Sequence, residues 1–174
     1  MLNKMKTLEE LKSLVAKARQ EGKKVVFTNG VYDLLHIGQI RCLEKAHTLG
    51  DILIVAVNSD SSVKQNKGDM HPIIQEKERA EVLSSLACVD FVIIFPSKEV
   101  TPLLEALHPE VFCKGGDYAL EKKTADTHRS VLNQEERALV ESYGGTIALL
   151  DIGTSQSTSK IIKRICDIYS STNR

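Results

Sequence analysis

The residues best suited to chemistry form one stretch, Thr28–Gln39, with the sequence TNGVYDLLHIGQ. The β-branched and aromatic run before it predicts a buried strand over Lys24–Thr28. Asn29-Gly30 predicts a tight turn, because both residues tolerate unusual backbone angles. From about Gly38 to about Leu49 apolar residues recur at helical spacing, which predicts a helix. A strand, a glycine turn and a helix direct backbone N–H groups and a helix N-terminus at one place, which attracts anions and above all phosphates.

His36 and Gly38 stand at the mouth of this predicted helix. There a side chain can reach a phosphate, and a glycine lets the backbone approach it. The glycine-rich dinucleotide fingerprint and the Walker P-loop are both absent from the sequence. The stretch therefore predicts a different kind of phosphate-binding turn.

The same stretch resembles the H-x-G-H motif of the nucleotidyltransferase superfamily, whose cytidylyltransferase-like branch carries T-x-G-x-F-D-x-x-H-x-G-H. The likeness extends over nearly the whole chain and is to the adenylyltransferase domain of bacterial ADP-heptose synthases, which joins AMP from ATP to heptose 1-phosphate. Further matching segments are Leu49-Gly50-Asp51, Val55–Asp60, Lys64, Lys67-Gly68-Asp69, Pro72, Val89-Asp90, Thr101-Pro102, Lys114–Tyr118, Gly144-Gly145 and Ser157-Thr158-Ser159.

Two positions depart from the family pattern inside the expected site. Gln39 stands where the family has its second histidine, and His71 stands where an arginine usually precedes the proline. Glutamine keeps a hydrogen-bond donor but cannot carry positive charge. We therefore expect Gln39 to slow an enzyme of this type without abolishing its activity.

The resemblance implies a role for each candidate site residue. The implied catalytic residues are His36, Gln39, Lys64 and Lys67. The implied nucleotide-binding residues are Thr28, Asn29, Gly30, Val31, Tyr32, Gly38, Ser157, Thr158 and Ser159. The implied substrate-binding residues are Asp33, Asp60, Arg79, Lys114, Gly116 and Asp117. Mg²⁺ is the expected cofactor, held mostly by phosphate oxygens and water rather than by a protein cage.

The positions of several of these residues agree with that interpretation. Asn58-Ser59-Asp60 directly follows the apolar run Ile52–Val57, a predicted parallel strand, and ligands bind at the carboxyl ends of such strands. The segment from Ser61 to Pro72 lacks apolar periodicity and is predicted to be a lysine-bearing loop that closes over a triphosphate. Lys114–Tyr118 follows the predicted strand Val111–Cys113, where Asp117 could accept hydrogen bonds from sugar hydroxyls or help to hold a metal.

Ser157-Thr158-Ser159 precedes a second amphipathic helix that includes Ile161, Ile162, Ile165 and Ile168. Hydroxyl residues before a helix are ordinary N-caps. In this chain they also resemble the family's I-S-T-T signature, whose hydroxyl and amide groups bind the β- and γ-phosphates. The resemblance therefore implies a second anion site at a helix start.

Strands that alternate with helices predict an α/β fold, a Rossmann-like doubly wound sheet of five parallel strands in a single domain spanning 1–174. By resemblance the strand order is 3-2-1-4-5. Thr7 and Glu10 predict a capping box that opens an N-terminal helix within residues 1–22, which we expect to cover a sheet edge. The segment Gln75–Ala87 is predicted to be a helix with Ala80, Val82, Leu83 and Leu86 toward the core.

Composition excludes several other classes of protein. Lys plus Arg equals Asp plus Glu at 23 each, and with no tryptophan and four tyrosines no nucleic-acid partner is expected. No apolar run approaches a membrane span and no signal peptide is evident, so we expect no membrane partner and a cytoplasmic location. The four cysteines form no C-x-x-C pair, which predicts buried or half-buried free thiols.

Three hypotheses about function remain open at this stage. The first is an adenylyltransferase that uses ATP and a sugar 1-phosphate, with a separate sugar kinase as a functional partner and a homodimer as a possible assembly. The second is a cytidylyltransferase of the glycerol 3-phosphate type. The third is a nucleotide-binding homologue whose catalysis has weakened. Lys114–Tyr118 and Asn58-Ser59-Asp60 favour the first.

Overall fold

The structure is a computed structural model, and it describes residues 4–115, 118–119, 130–151 and 157–172. The strands are β1 Val25–Gly30, β2 Ile52–Asn58, β3 Phe91–Phe95, β4 Val111–Gly115, β5 Tyr118–Ala119, β6 Ser130–Val131 and β7 Thr146–Leu150. The helices are α1 Leu8–Gln20, α2 Ile37–His47, α3 Asp60–Lys67, α4 Glu76–Ser84, α5 Thr101–Leu107, α6 Gln134–Ser142 and α7 Thr158–Thr172.

Five strands form one parallel sheet in the order β3-β2-β1-β4-β7, which confirms the predicted order 3-2-1-4-5 of the long strands. Strand β1 is central, and the chain leaves it on one side toward β2 and returns on its other side at β4. In such sheets the crevice at this switch point is where ligands bind. The two-residue strands β5 and β6 pair separately.

Helices cover both faces of the main sheet, as a doubly wound fold requires. On one face, Leu11 of α1, Leu104 of α5 and Val140 of α6 belong to a single buried cluster. On the other face, Leu43 of α2 and Leu83 of α4 do the same. Of the described helices, none is long and apolar enough to cross a membrane.

The N-terminal helix differs from its prediction in what it covers. The capping box of Thr7 and Glu10 is present and opens α1, but the buried residues of α1 pack on a face of the sheet. At the sheet edge, the preceding segment pairs with β3 through a parallel bridge between Met5 and Val92. The edge is therefore covered by extended backbone, which satisfies strand hydrogen bonds that a helix could not.

Strand β1 continues two residues beyond the predicted Lys24–Thr28. Asn29 and Gly30 stay in register with Ala56 and Val57 of β2, so the turn begins at Val31 instead. Glycine is nevertheless favoured at position 30, because a Cβ there would lie 3.0 Å from the ring of Tyr32.

The prediction of a loop over Ser61–Pro72 was wrong for its first half, which forms α3. Ser59 caps this helix, since its Oγ accepts a hydrogen bond from Ser62 N at 3.1 Å. Glu76 Oε2 accepts from the first amide of the helix at 2.7 Å. Ser59, before the helix in sequence, and Glu76, after it, both cap its N-terminus. Such capping stabilises a polar helix whose sequence has no apolar periodicity to predict it.

Helix α4 is shorter than the predicted Gln75–Ala87, and one of its four predicted core residues was wrong. Ala80 and Leu83 are buried and Leu86 is half-buried against the same cluster, but Val82 is 48% exposed. Val82 lies about 100° around the helix axis from Leu83, and this places it outside the buried stripe.

The cysteines follow their prediction with one exception. Cys113 is buried, and Cys42 and Cys88 are half-buried, all as free thiols. Cys166 is exposed, contrary to the prediction, as is every residue of α7 from 163 to 170.

Candidate active site

His36 is fixed at the N-cap of α2 by two reciprocal hydrogen bonds. Its Nδ1 accepts from Gly38 N at 3.2 Å, and its own backbone N–H donates to Gln39 Oε1 at 3.2 Å. This is a capping box with an imidazole in place of the usual hydroxyl. Since a neutral imidazole with Nδ1 as acceptor carries its proton on Nε2, His36 presents Nε2 as a donor.

Gln39 therefore occupies the third position of α2 and acts there as a helix-capping residue. Its side-chain oxygen is directed to the backbone of His36, and the residue is half-buried. Gly38 is buried between them. His36 and Gly38, the two positions that the sequence placed at the mouth of the helix, are thus held together, with Gln39 beside them.

The start of α7 lies against the same turn. Thr158 Oγ1 donates to Leu34 O at 3.5 Å, and Ser157 Oγ accepts from Lys160 N at 3.3 Å. Ser159 is exposed in the first turn of the helix. Two helix N-termini are therefore joined through the segment that leads to His36, and both ends carry partial positive charge.

Asp33 connects the turn to the segment that follows the cis peptide His71-Pro72. Its buried carboxylate accepts from Ile73 N at 2.9 and 3.0 Å and from Ile74 N at 2.9 Å. Asp33 thus holds these two segments together, and its expected contact with the acceptor stays a prediction.

Arg79 of α4 connects four segments at the carboxyl edge of the sheet. Its side chain is fully buried, and Nη2 donates to Asp60 Oδ1 at 2.8 Å and to Asn58 O at 2.8 Å. It also donates to Ile74 O at 2.9 Å and, through Nη1, to Val31 O. The structure therefore pairs two residues predicted to bind substrate, Asp60 and Arg79, with each other.

Lys114, at the carboxyl end of β4, is also predicted to bind substrate and is 5% exposed. Its Nζ donates to Asn29 Oδ1 at 3.0 Å and forms an ion pair with Glu136 Oε2 at 2.9 Å. Burial lowers the pKa of Lys114, and the Glu136 carboxylate partly offsets that effect. In the next strand, Thr28 Oγ1 donates to Cys113 O at 3.0 Å.

Lys64 and Lys67 lie in the last turn of α3 and are exposed. The helix that carries them begins at the carboxyl end of β2, on the same edge of the sheet as the turn of β1. Gly116 and Asp117, also predicted site residues, lie outside the described residues. Among those that the structure describes, no group of three or more His, Cys, Asp or Glu side chains is arranged to hold a metal ion.

Sequence reasoning missed two carboxylates that support the site, Glu76 and Glu136. A signal for Glu136 was available, since Leu132, Glu136 and Val140 recur every four residues and all three are buried. A carboxylate on an apolar stripe indicates a buried partner. Glu76 carried no comparable pattern.

Comparison with known proteins places this geometry in a known class. The family model "Cytidylyltransferase-like" matches residues 27–164, so the chain belongs to the cytidylyltransferase-like family and is by class a nucleotidyltransferase.

Curated relatives refine this assignment. The chain is 41% identical over 167 residues to the "Bifunctional protein HldE" of Syntrophotalea carbinolica, covering 96% of this chain and 32% of that protein. It is 44% identical over 162 residues to the protein of the same name from Geotalea uraniireducens, covering 93% of this chain and 31% of that protein. The chain thus spans about a third of the relatives that it matches.

Solved structures agree with the fold. A "lipopolysaccharide core biosynthesis protein" from Thermoplasma volcanium superposes with a TM-score of 0.58 at 27% identity, covering 78% of this chain and 100% of that one. A pantoate-beta-alanine ligase from Francisella tularensis, covered over 68% of its own chain and 89% of this one, has a TM-score of 0.56 at 16% identity, which shows the fold alone.

Proposed function

We propose that the protein is an adenylyltransferase that transfers AMP from ATP to a sugar 1-phosphate, of the heptose 1-phosphate type, with release of pyrophosphate. The observation that supports this proposal most directly is the position of His36, fixed by a capping box beside the start of α7. The likeness to proteins named HldE and to a lipopolysaccharide core biosynthesis protein favours a heptose acceptor.

The proposed reaction needs no enzyme nucleophile. An anionic oxygen of the sugar phosphate attacks the α-phosphorus of ATP in line, the bond from that phosphorus to the bridging oxygen breaks, and pyrophosphate leaves with its electron pair. No proton has to be removed from the attacking oxygen. The protein contributes alignment of the reactants and stabilisation of the charge that develops in the transition state.

In this mechanism His36 Nε2–H donates to the α-phosphate as charge builds on it, and Gln39 holds the backbone that carries His36. The hydroxyl and amide groups of Ser157, Thr158 and Ser159 bind the β- and γ-phosphates. Lys64 and Lys67 neutralise the pyrophosphate when α3 closes.

Mg²⁺ fits this reaction as a partner of the nucleotide rather than of the protein. The described residues provide no ligand cluster, and both oxygens of Asp33 already accept backbone amides. Mg²⁺ favours phosphate oxygens and water. The ion would supply charge neutralisation on the triphosphate.

The test is pyrophosphate release in the presence of Mg²⁺, with ATP and CTP each crossed against heptose 1-phosphate, other sugar 1-phosphates and glycerol 3-phosphate. We expect release only with ATP and a sugar 1-phosphate. Release with CTP and glycerol 3-phosphate would instead establish the second hypothesis. ATP binding by calorimetry without release from any pair would favour a weakened nucleotide-binding homologue.

His36→Asn tests the residue that carries the proposal, with His108→Asn as a matched control. His108 lies at the end of α5 with a φ of 44°, a conformation that asparagine tolerates. We expect the first variant to lose at least about a hundred-fold in turnover, as removal of an oxyanion donor does, and the second to lose little. Equal turnover in both variants would contradict the role of His36.

A further inference from the structure

We propose that Glu136 of α6 is a positioning residue that acts through Lys114 on Asn29, and so sets the conformation of the nucleotide-binding turn at the end of β1. The inference rests on the proposed function only in calling this turn nucleotide-binding. Neither the sequence motifs nor the comparisons assign a role to Glu136.

The contacts form a continuous path across the sheet. Glu136 Oε2 lies 2.9 Å from Lys114 Nζ, and Lys114 Nζ donates to Asn29 Oδ1 at 3.0 Å. Lys114 belongs to β4, the neighbour of β1 at the switch point, and its ammonium also lies 4.7 Å from the ring centre of Phe112. The path therefore runs from a helix, through a strand, to the last residues of the central strand.

The ion pair of Lys114 and Glu136 lies in the interior, where removing a charge from water costs free energy. The side chains of Lys114 and Glu136 are each 6% exposed, so both ions are almost fully removed from water. Buried ion pairs contribute little net stability, because the desolvation penalty offsets the attraction between the charges. Such a pair instead restricts the geometry of the groups bonded to it.

The group bonded to it is the side chain of Asn29, which directly precedes Gly30 and the turn at Val31. The ammonium of Lys114, on the neighbouring strand β4, holds the side-chain oxygen of Asn29. Without Glu136, the lysine lacks the carboxylate that keeps its charge in a buried position. Lys114 would then move toward water or lose its proton, and either change alters its bond to Asn29.

The test compares Glu136→Gln with Glu135→Gln, an exposed glutamate on the same turn of α6. In nitrogen–proton correlation spectra, we expect the backbone amide resonances of Asn29 and Gly30 to shift in the first variant and to stay in place in the second. We also expect the KM for ATP to rise about ten-fold in Glu136→Gln, with kcat nearly unchanged, since a displaced turn weakens nucleotide binding.

This division between KM and kcat separates positioning from simple destabilisation. A partly unfolded variant has fewer active molecules, so its kcat falls while its KM stays the same. A kcat loss at constant KM would therefore overturn the proposal, as would unshifted resonances of Asn29 and Gly30. Asn29→Leu removes the contact between Asn29 and Lys114 and keeps the ion pair of Lys114 with Glu136. We expect this variant to reproduce the rise in KM even if Glu136→Gln folds poorly.

A double-variant cycle tests the route through the lysine. In the background of Lys114→Met, Glu136→Gln should change the KM by less than about two-fold, because the contact it modulates is already gone. Independent, multiplicative effects would contradict the route. If the wild-type protein releases no pyrophosphate but binds ATP, the proposed reaction fails, and the dissociation constant of ATP replaces KM as the readout for Glu136.

Discussion

At the scale of single residues, several side chains of the site bond to the backbone of neighbouring segments. Four residues that were predicted from the sequence to contact a ligand hold backbone atoms in place in the structure. They are His36, Gln39, Asp33 and Arg79. A nucleotidyltransferase of the proposed kind works by alignment, so residues that fix the backbone at the phosphates are part of its catalytic apparatus.

Replacing Gln39 by histidine is expected to raise turnover. A protonated imidazole donates a charge-assisted hydrogen bond of roughly 1.5–3 kcal/mol, against about 1 kcal/mol for a neutral one. At about 1.4 kcal/mol for each factor of ten, the gain in pyrophosphate release is about ten-fold. A rate equal to or below that of the wild type would refute this role for position 39.

Replacing Arg79 by methionine is expected to destabilise the fold. The change removes donors from Asp60 Oδ1 and from buried carbonyls, including Asn58 O. Leaving these acceptors unpaired costs about 3 kcal/mol in the free energy of unfolding, measured by urea denaturation. Lys77→Met, at an exposed position of the same helix, serves as the control and should change it little. Similar unfolding midpoints for the two variants would show that the Arg79 network contributes nothing to stability.

At the scale of secondary-structure elements, the carboxyl edge of the sheet is surrounded by the starts of α2, α3 and α7. Each of these starts carries a capping hydrogen bond between residues close in sequence: His36 with Gly38, Ser59 with Ser62, and Ser157 with Lys160. Helix α3 exposes Lys64 and Lys67 in its last turn to solvent.

Helix α3 is expected to act on the nucleotide through these two lysines. Lys64→Met and Lys67→Met should each lower kcat/KM for ATP about ten-fold, the effect of losing one charge-assisted hydrogen bond to phosphate. Both side chains are exposed, so the thermal midpoint of unfolding should not change. Lys17→Met on α1 controls for a change in net charge, and a loss as large in that variant would remove the lysines of α3 from the mechanism.

At the scale of the whole molecule, two groups removed from water resist ionisation, Cys113 in β4 and Tyr143 at the end of α6. Burial raises the pKa of the Cys113 thiol from 9.0 to about 12, and burial also raises the pKa of Tyr143 from 10.0 to about 12. In the unfolded chain these groups lose their protons at lower pH than in the folded protein. The folded state then binds more protons, and stability falls as pH rises.

The free energy of unfolding is therefore expected to fall between about pH 9 and pH 12, at about 1.4 kcal/mol per pH unit for each fully contributing group. Cys113→Ala should make this decline shallower, because it removes one such group, although a small cavity lowers stability at every pH. Cys166→Ala, at an exposed position, should leave the slope unchanged. Parallel declines in the wild type and in Cys113→Ala, measured by urea denaturation, would contradict the assignment.

Local patterns in the amino-acid sequence predicted the five long strands and most of the helices, in their order along the chain. Apolar runs predicted all five long strands, since period and composition are properties of neighbouring residues, and Thr146–Leu150 matches its prediction at both ends. The turn before α2 and the helix start at Ser157-Thr158 were also evident, because capping residues act within one helical turn. The family likeness then supplied the order of the strands, which periodicity does not contain.

Only the tertiary structure decided which groups face one another. Asn29 and Lys114 are 85 residues apart, and Arg79 bonds to a carbonyl 48 residues earlier in the chain. A local pattern carries no information about such pairs, because they form only when strands from distant segments end at the same edge. Helix α3 shows the same limit, since Glu76 satisfies its first amide from 16 residues away. A charge that is buried away from water requires a partner, and the fold determines which partners lie within reach.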